Sequence, residues 1–421
     1  AYMVPRRWCF LPALPLTPSG KLDQQALPDP QEDVLEVAPI APKTDTEAQL
    51  VTIWQQVLGL EYVGVSDNFF ALGGDSILSI QVVSRATQKG LGLTPKQLFE
   101  YQTIRELATQ VTACKIDAEQ GRVNGTVALT AIQAAFFDLP LKNHHYWHQS
   151  VCLETPVGLN AEGLDQILAA LVEQHDVLRL RFVNQAIDGG ETHWQASHHA
   201  DGFSGLTVVD WTSRAVDELR EVGEAAQNSV NIVDGPLWVA VFFDAGDESH
   251  GRLLLAIHHL LVDAVSWRIL LEDLQAGCRQ WLAKEEVVLP AKTTSFKAWS
   301  ESLHHYVDLQ CHDRSGCLDE DLNYWDGILP EEVPSLPLDY PQATNLEKDS
   351  AQTVFALTAK ETQQLVQQAP QKYRVGALEL LLVAFQSAWH KWSGDHTLLL
   401  DLENHGRDLP LDGVDVSRTV G

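Results

Sequence analysis

The sequence is short of positive charge. Its 29 Lys and Arg residues stand against 57 Asp and Glu residues, which gives a formal net charge of −28. Nucleic-acid binding depends on Lys and Arg to neutralise phosphates, so this balance argues against a nucleic-acid partner. Because the excess acid is spread along the chain, we interpret it as a contribution to solubility.

Paired cysteines and long apolar runs are also missing. No apolar run approaches the length of a bilayer crossing, and the N-terminus lacks the charged-then-apolar profile of a secretory signal. We therefore expect a soluble, cytoplasmic protein without a membrane partner. Reduced thiols are predicted, because no Cys-x-x-Cys pair or framework spacing connects the six cysteines, which are Cys9, Cys114, Cys152, Cys278, Cys311 and Cys317.

What is present centres on the stretch Leu72–Ile77, with the sequence LGGDSI. Ser76 follows a two-glycine turn and opens a segment whose apolar residues recur at helical spacing, so we expect it at an exposed helix N-terminus. A serine there can cap the helix through its side-chain oxygen. The same place also suits a covalently attached phosphodiester, since free N–H groups and the helix dipole favour an anion.

The longer run DNFFALGGDSI, residues 67–77, resembles the phosphopantetheine attachment motif of carrier domains in nonribosomal peptide synthetases. The resemblance implies 4'-phosphopantetheine covalently bound to Ser76, with Asp75 in the same cofactor site. It also implies a phosphopantetheinyl transferase as a partner and an aminoacyl or peptidyl thioester as the cargo.

Helical periodicity around this motif predicts a small all-α unit. One helix is predicted to start at Thr44, Asp45 or Thr46 and to end at Gly59, a second runs from Ser76 to about Gln88, and a third begins at Thr103. We interpret residues 45–113 as a four-helix-bundle carrier domain, preceded by a linker at 31–44.

Residues 1–30 are rich in proline and too short to fold alone. From its residue type, Lys21 is a solvated loop cation, and its surroundings lack the upstream glycine of a P-loop. The stretch LPLTPSGKLD resembles the last core motif of an adenylation domain, whose lysine contacts the acyl-adenylate. This implies that residues 1–30 are the remnant of an upstream adenylation domain.

After a predicted linker at 114–127, strand and helix patterns alternate to the end of the chain. Residues 129–137 and 173–182 resemble motifs of the condensation and epimerisation superfamily. The resemblance implies a two-lobed α/β fold of the chloramphenicol-acetyltransferase type, with one lobe at 128–310 and a truncated second lobe at 311–421. The histidine cluster at 144–148 has no further ligand at supporting spacing, so we predict no metal site.

The apolar run 253–257 predicts a strand buried on both faces, and the sequence HHLLVD follows it. A histidine at a strand end can be a satisfied core residue. The tandem pair with Asp263 resembles the HHxxxD signature of the superfamily, which implies that His259 faces the reaction channel while His258 and Asp263 hold the loop.

The superfamily contains peptide-bond formation and Cα epimerisation, and this chain resembles the second group. Ala264 stands where condensation domains usually have glycine, and residues 403–407 resemble the E-x-H-G-R motif of epimerisation domains. The ending Arg418–Gly421 matches the start of another motif of that group. The domain order agrees, because an epimerisation domain follows the carrier that holds its substrate.

Inversion of a thioester Cα needs a base on one face and a proton donor on the other. Histidine titrates near cellular pH, and a carboxyl partly removed from water can donate a proton near neutrality. We therefore predict His259 and Glu403 as the acid/base residues, and Arg407 as a partner of Asp263. Glu403 could instead form an ion pair with Arg407, four residues on.

Two alternatives remain at the level of sequence. The second domain could form peptide bonds between carrier-bound substrates, or the chain could be a carrier and docking unit with an inactive second domain. A downstream condensation domain is the partner that the epimerisation hypothesis implies.

Overall fold

The structure is a computed structural model that describes residues 40–421, except 114–117, 187–191, 201–204, 213–215, 247, 313–316, 330–332, 334–335, 344–345, 347–348, 374, 408–410 and 412. Lys21 and the adenylation-like stretch therefore lie outside the described residues. The described chain forms a helical unit followed by a larger α/β unit.

The helical unit contains α1 (Asp45–Leu58), α2 (Ser76–Gln88), α3 (Pro95–Glu100) and α4 (Ile104–Leu107). Thr44 begins α1 with a capping box and Gly59 ends it in the left-handed conformation, as predicted. The helix that starts after Thr103 is only one turn long. The sequence analysis missed α3, although Thr94 and Pro95 are a typical helix start, and it missed the two-residue pairing of β1 (Leu91–Gly92) with β2 (Thr112–Ala113).

The core of the helical unit explains the two-glycine turn. Trp54 and Phe69 are fully buried and meet edge to face, with ring centroids 4.9 Å apart. Gly74 packs against this core so closely that an added Cβ would lie 2.3 Å from the Phe69 ring, and Gly73 has a φ of +100°. The turn therefore requires glycine at both positions, and it places Ser76 at the start of α2.

The α/β unit contains an antiparallel three-stranded sheet and a mixed four-stranded sheet. β3 (Thr126–Val127), β6 (Thr192–His198) and β5 (Leu180–Ala186) form the smaller sheet in that order. The larger sheet has the order β4-β9-β8-β7, and β9 pairs antiparallel with both of its neighbours. Its strands are β4 (His148–Glu154), β7 (Thr207–Asp210), β8 (Trp238–Asp244) and β9 (Arg252–His258).

β9 is the predicted buried strand, and it lies inside the larger sheet and leads directly into the tandem histidines. The helices of the unit are α5 (Ala131–Asp138), α6 (Ala161–Gln174), α7 (Val216–Asn228), α8 (Ala264–Leu282), α9 (Phe296–His312), α10 (Cys317–Ile328), α11 (Ala359–Gln363), α12 (Ala369–Tyr373) and α13 (Ala377–Ser393). The long helix α8, which starts directly after Asp263, packs with α6 in the main apolar core.

The alternation of strands and helices does not continue to the end of the chain, contrary to the sequence-based expectation. Beyond β9 the described residues form helices and irregular chain but no strand. The apolar segments 351–357 and 397–402 are irregular, and large side chains such as Phe355 are exposed. Strands need a neighbouring backbone for their hydrogen bonds, and the described residues provide none beside these segments.

No helix in the described ranges combines the length and apolar composition that a bilayer crossing requires.

The helical unit contacts the α/β unit through α2. Ile77 and Ile80 belong to the apolar cluster of the larger unit and line a small cavity with Val265 and Ile269 of α8. Arg85 Nη2 lies 3.5 Å from Glu272 Oε1 at the edge of this contact. The first turns of α2 and α8 are therefore neighbours, and Ser76 is the first residue of α2.

This contact can be broken without disturbing the helical unit. Ile80 is 4% exposed and packs with the α/β core, not with the core of its own unit. We expect Ile80→Asp to weaken docking about 10- to 100-fold, because burial of such a side chain is worth about 1.5–3 kcal/mol. ¹⁵N relaxation of the helical unit measures this, since an undocked unit tumbles faster.

Arg85→Ala is the matched control. Its ion pair with Glu272 is about one-third exposed, and such pairs contribute about 0–1 kcal/mol. Relaxation rates should barely change in this variant, and tumbling as slow as wild type in Ile80→Asp would contradict the docked arrangement.

Candidate functional site

The N-terminus of α2 is capped by Asp75, not by Ser76. Asp75 has an extended backbone, and its Oδ1 accepts a 2.7 Å hydrogen bond from the Leu78 N–H. Ser76 is the first helical residue and not the cap, so the capping alternative is wrong. The sequence DS explains this outcome, because aspartate is at least as good a cap as serine and comes first. Asp75 thus has a local structural role, and its contact with a cofactor stays a prediction.

The α2 N-terminus fits a covalently attached phosphodiester. Its N–H groups and the helix dipole favour an anion, and the glycine turn leaves open space beside Gly73. The group would supply a thiol that carries an acyl chain as a thioester. Ser76 is the residue at this end that would hold it.

His258 is a structural residue. It is completely buried, its Nδ1 accepts the Leu260 N–H at 3.1 Å, and its Nε2 lies 2.8 Å from the His144 carbonyl. Since Nδ1 accepts a hydrogen bond, Nε2 carries the ring proton and donates a hydrogen bond to the His144 carbonyl. Burial lowers the pKa of His258 to about 4, so the ring stays neutral near neutral pH, and its hydrogen bonds join the loop backbone at Leu260 to the His144 carbonyl.

The lowered pKa of His258 makes stability pH-dependent. In the unfolded chain histidine has a pKa of about 6.5 and binds its proton first, so the unfolding free energy should fall as the pH drops from about 6.5 to 4. This shift corresponds to about 3 kcal/mol. Urea unfolding at several pH values measures it.

His258→Gln is the comparison for this effect, because glutamine keeps a donor for the His144 carbonyl and does not titrate. Its unfolding free energy should depend less steeply on pH in this window. Parallel pH curves for the two proteins would show that His258 is not the titrating group.

His259 is partly exposed, with 28% of its side chain open to solvent, and its Nε2 lies 3.6 Å from Glu403 Oε1. The structure therefore brings together the predicted acid/base residues, which are far apart in the sequence. Glu403 is 76% exposed, so the expected partial removal of its carboxyl from water is wrong. The reason is that residues 401–406 are irregular chain at the surface.

Arg407 binds Asp263 and not Glu403. Both guanidinium Nη atoms contact the Asp263 carboxylate, and the Arg407 side chain is 5% exposed. The alternative of a Glu403–Arg407 helical pair fails because Gly406 has a φ of +65° and no helix forms there. Asp263 also caps α8, since its Oδ1 accepts the Ser266 N–H at 2.7 Å.

The segment 418–421 lies beside this pair. The Arg407 guanidinium donates to the Gly421 carbonyl at 2.9 Å, and the Gly421 N–H donates to Ser266 Oγ at 3.0 Å. Arg418 is buried against Asp273, which also lies 2.9 Å from His175 Nε2. Both contacts fix residues 418–421 against α8.

The sequence analysis did not identify Gln149, Trp267 or Ser266 as site residues. Gln149 Nε2 lies 3.0 Å from His259 Nε2, and Gln149 Oε1 accepts the Trp267 indole N–H at 2.8 Å. The sequence carried no signal for Gln149, because the pairing of its strand with the strand of the tandem histidines is known only from the structure.

Residues of the histidine cluster at 144–148 form hydrogen bonds with neighbouring segments. His144 gives its carbonyl to His258, and His145 Nδ1 accepts the Ile232 N–H at 3.2 Å. Within the described ranges, no group of three or more His, Cys, Asp or Glu side chains is arranged to hold a metal ion.

Comparison with known proteins follows the same division of the chain. Residues 48–111 match the phosphopantetheine attachment site family, and residues 123–421 match the condensation domain family. The chain is 44% identical to a linear gramicidin synthase of Brevibacillus parabrevis over 431 aligned positions, which include all of this chain and 8% of that protein. It is also 44% identical to chondramide synthase cmdD of Chondromyces crocatus, again over all of this chain and 11% of that protein.

Among solved structures, the crystal structure of the epimerization domain from the third module of tyrocidine synthetase B is similar. The identity is 32% and the TM-score 0.63, over 73% of this chain and 67% of that one. The chain spans a small part of the curated relatives it matches.

The chain therefore belongs to the condensation domain family, with a phosphopantetheine-binding carrier domain in front, as in nonribosomal peptide synthetases. The predicted fold, a helical carrier domain followed by a two-lobed α/β domain of the condensation type, is confirmed, and so is 4'-phosphopantetheine as the cofactor of the carrier.

Proposed function

We propose that the condensation-family domain epimerises, from L to D at Cα, an aminoacyl or peptidyl group held as a thioester on Ser76 of the preceding carrier domain. The observation that carries this proposal is the 3.6 Å approach of His259 Nε2 to Glu403 Oε1. Two proton-transfer groups on different segments are what inversion requires.

His259 removes the Cα proton and Glu403 returns one from the other side. Glu403 is mostly exposed and lies on irregular chain, so its side chain has room to separate from His259 when the Cα enters between them. Asp263 and Arg407 position both groups. Arg407 follows Glu403 by four residues, and Asp263 follows His259 by four, so their ion pair joins the segments that carry the two proton-transfer groups.

The docking of α2 against α8 supports delivery within one chain. Ser76 lies at the end of α2 whose first turn contacts the first turns of α8, next to the loop of His258 and His259. Peptide-bond formation, the rival activity, needs access for a second carrier and has no use for Glu403.

We assign residues 45–113 to the carrier domain, 114–127 to a linker, and 128–310 and 311–421 to the lobes of the epimerisation domain. A phosphopantetheinyl transferase would load Ser76, an upstream adenylation domain would supply the amino acid, and a downstream condensation domain would take the product. The family matches at 48–111 and 123–421 support the order of a carrier domain followed by a second domain.

The test is hydrogen exchange with chiral analysis. The protein is loaded by a phosphopantetheinyl transferase with L-alanyl, L-leucyl or L-phenylalanyl phosphopantetheine in D₂O, and the released amino acid is analysed for mass and chirality. Deuterium at Cα together with D product is expected, and Ser76→Ala should not load at all. Efficient loading without exchange for every cargo overturns the proposal, and condensation with an acceptor carrier is then the activity to test.

A further inference from the structure

Gln149 and Trp267 form a hydrogen-bonded pair beside His259. In the β4–β9 ladder Gln149 lies opposite Ile257, which makes it a diagonal neighbour of His259 on the same face of the sheet. The Trp267 indole N–H donates to Gln149 Oε1 at 2.8 Å, and Gln149 Nε2 lies 3.0 Å from His259 Nε2.

The tryptophan decides which way the glutamine amide points. An indole N–H is a donor only, so the amide must present its oxygen to Trp267 and its NH₂ group to His259. An NH₂ group also only donates, and His259 Nε2 must therefore accept. In a neutral ring this leaves Nε2 bare and places the proton on Nδ1.

We propose that Gln149, oriented by Trp267, is a positioning residue that holds His259 in the Nδ1–H tautomer with a bare Nε2. This unprotonated nitrogen lies 3.6 Å from Glu403 Oε1. Its single lone pair accepts from Gln149, so the amide must move aside before Nε2 takes the Cα proton. The tautomer follows from the contacts alone, and its use in catalysis rests on the proposed function.

The pair also opposes the protonated ring. Once Nε2 carries a proton, it meets the amide as one donor facing another, and its nearest acceptor is Glu403 Oε1. Glu403 acts in the opposite direction, because its carboxylate favours a proton on the nitrogen 3.6 Å away. The other neighbouring ionisable groups are engaged elsewhere: His258 is neutral and bound to the His144 carbonyl, and Asp263 is paired with Arg407. Gln149 therefore offers Nε2 a hydrogen-bond donor and no acceptor.

Gln149→Glu reverses the preference in a nearly identical shape. One carboxylate oxygen still accepts the Trp267 N–H, and the other offers His259 an acceptor. Long-range ¹H–¹⁵N NMR of the ¹⁵N-histidine-labelled protein distinguishes the tautomers, and His259→Asn identifies the His259 signals by their loss. We expect the Nδ1–H pattern in the wild type and a proton on Nε2 in Gln149→Glu.

Trp267→Phe removes the donor that fixes the Gln149 amide, so the amide can rotate by half a turn. We therefore expect a mixture of the two His259 tautomers. Trp238→Phe is the matched control, because its buried indole donates to the Leu178 carbonyl at 3.2 Å. It should leave the His259 pattern unchanged. An Nε2–H tautomer in the wild type, an unchanged tautomer in Gln149→Glu, or equal effects of the two tryptophan variants would overturn the proposal.

The pH dependence of Cα exchange supplies an activity readout. A carboxylate next to His259 stabilises the protonated ring by about one pH unit or more, so the acidic limb of the Gln149→Glu profile should move to higher pH, with about a tenfold lower rate on that limb. An unmoved limb in an active variant would speak against the positioning role. If the wild type shows no exchange at any pH, the proposed function fails while the NMR result still decides the tautomer.

Discussion

His259→Ala is expected to lower Cα hydrogen exchange of the carrier-bound acyl group by about 100- to 10,000-fold, the usual contribution of a positioned general base. His259 is partly exposed and lies beside Glu403. His258, in contrast, is buried and neutral, and both of its ring nitrogens are hydrogen-bonded. Loading of Ser76 should be unaffected, because His259 belongs to the other domain. The measurement is deuterium incorporation in a single turnover.

Glu403→Gln separates the two halves of the reaction. If His259 removes the proton of the L substrate, it can return a solvent deuteron to the same face. Exchange should therefore survive in Glu403→Gln while D product falls about 100-fold. His390→Ala, an exposed histidine on α13, is the control and should match the wild type. Full D product from His259→Ala would rule out His259 as the base.

Arg407→Met is expected to destabilise the protein by about 3–5 kcal/mol, because it leaves the Asp263 carboxylate without its buried partner. The same change removes the hydrogen bonds from the guanidinium to the Thr419 and Gly421 carbonyls. Exchange activity should fall as well, since Glu403 and the tandem-histidine loop lose their common support. Urea unfolding followed by tryptophan fluorescence measures the first effect.

The double variant Arg407→Met with Asp263→Asn shows whether the loss of stability comes from the unpaired Asp263 carboxylate. Asparagine still caps α8 but carries no charge, so Asp263→Asn should restore part of the stability that Arg407→Met loses. The pair of Arg252 with Glu154 is the surface comparison, being 37% and 55% exposed, and Arg252→Met should cost about 1 kcal/mol or less. An equally small loss of unfolding free energy in Arg407→Met would show that the Arg407–Asp263 pair does not stabilise this part of the domain.

Local patterns predicted the elements that hold the site. The apolar run before His258 predicted the buried strand, and the caps of α1 followed from Thr44 and Gly59. The same reasoning predicted the start of α2 at Ser76, but its capping alternative is wrong, because two adjacent residues compete for one cap and aspartate occupies it. It failed for the region beyond β9, because an apolar pattern does not say whether a partner strand is present.

The sequence by itself supplied the carrier motif, the tandem histidines with Asp263, and the candidates Glu403 and Arg407, because each lies in a short stretch that resembles a motif of the family. Only the tertiary structure decided which of them meet. Glu403 could have paired with Arg407 or faced His259, and the left-handed Gly406 and the Asp263 carboxylate settled the contact. Gln149 was beyond the sequence for the same reason: its place beside His259 follows from strand register, which many distant side chains fix together.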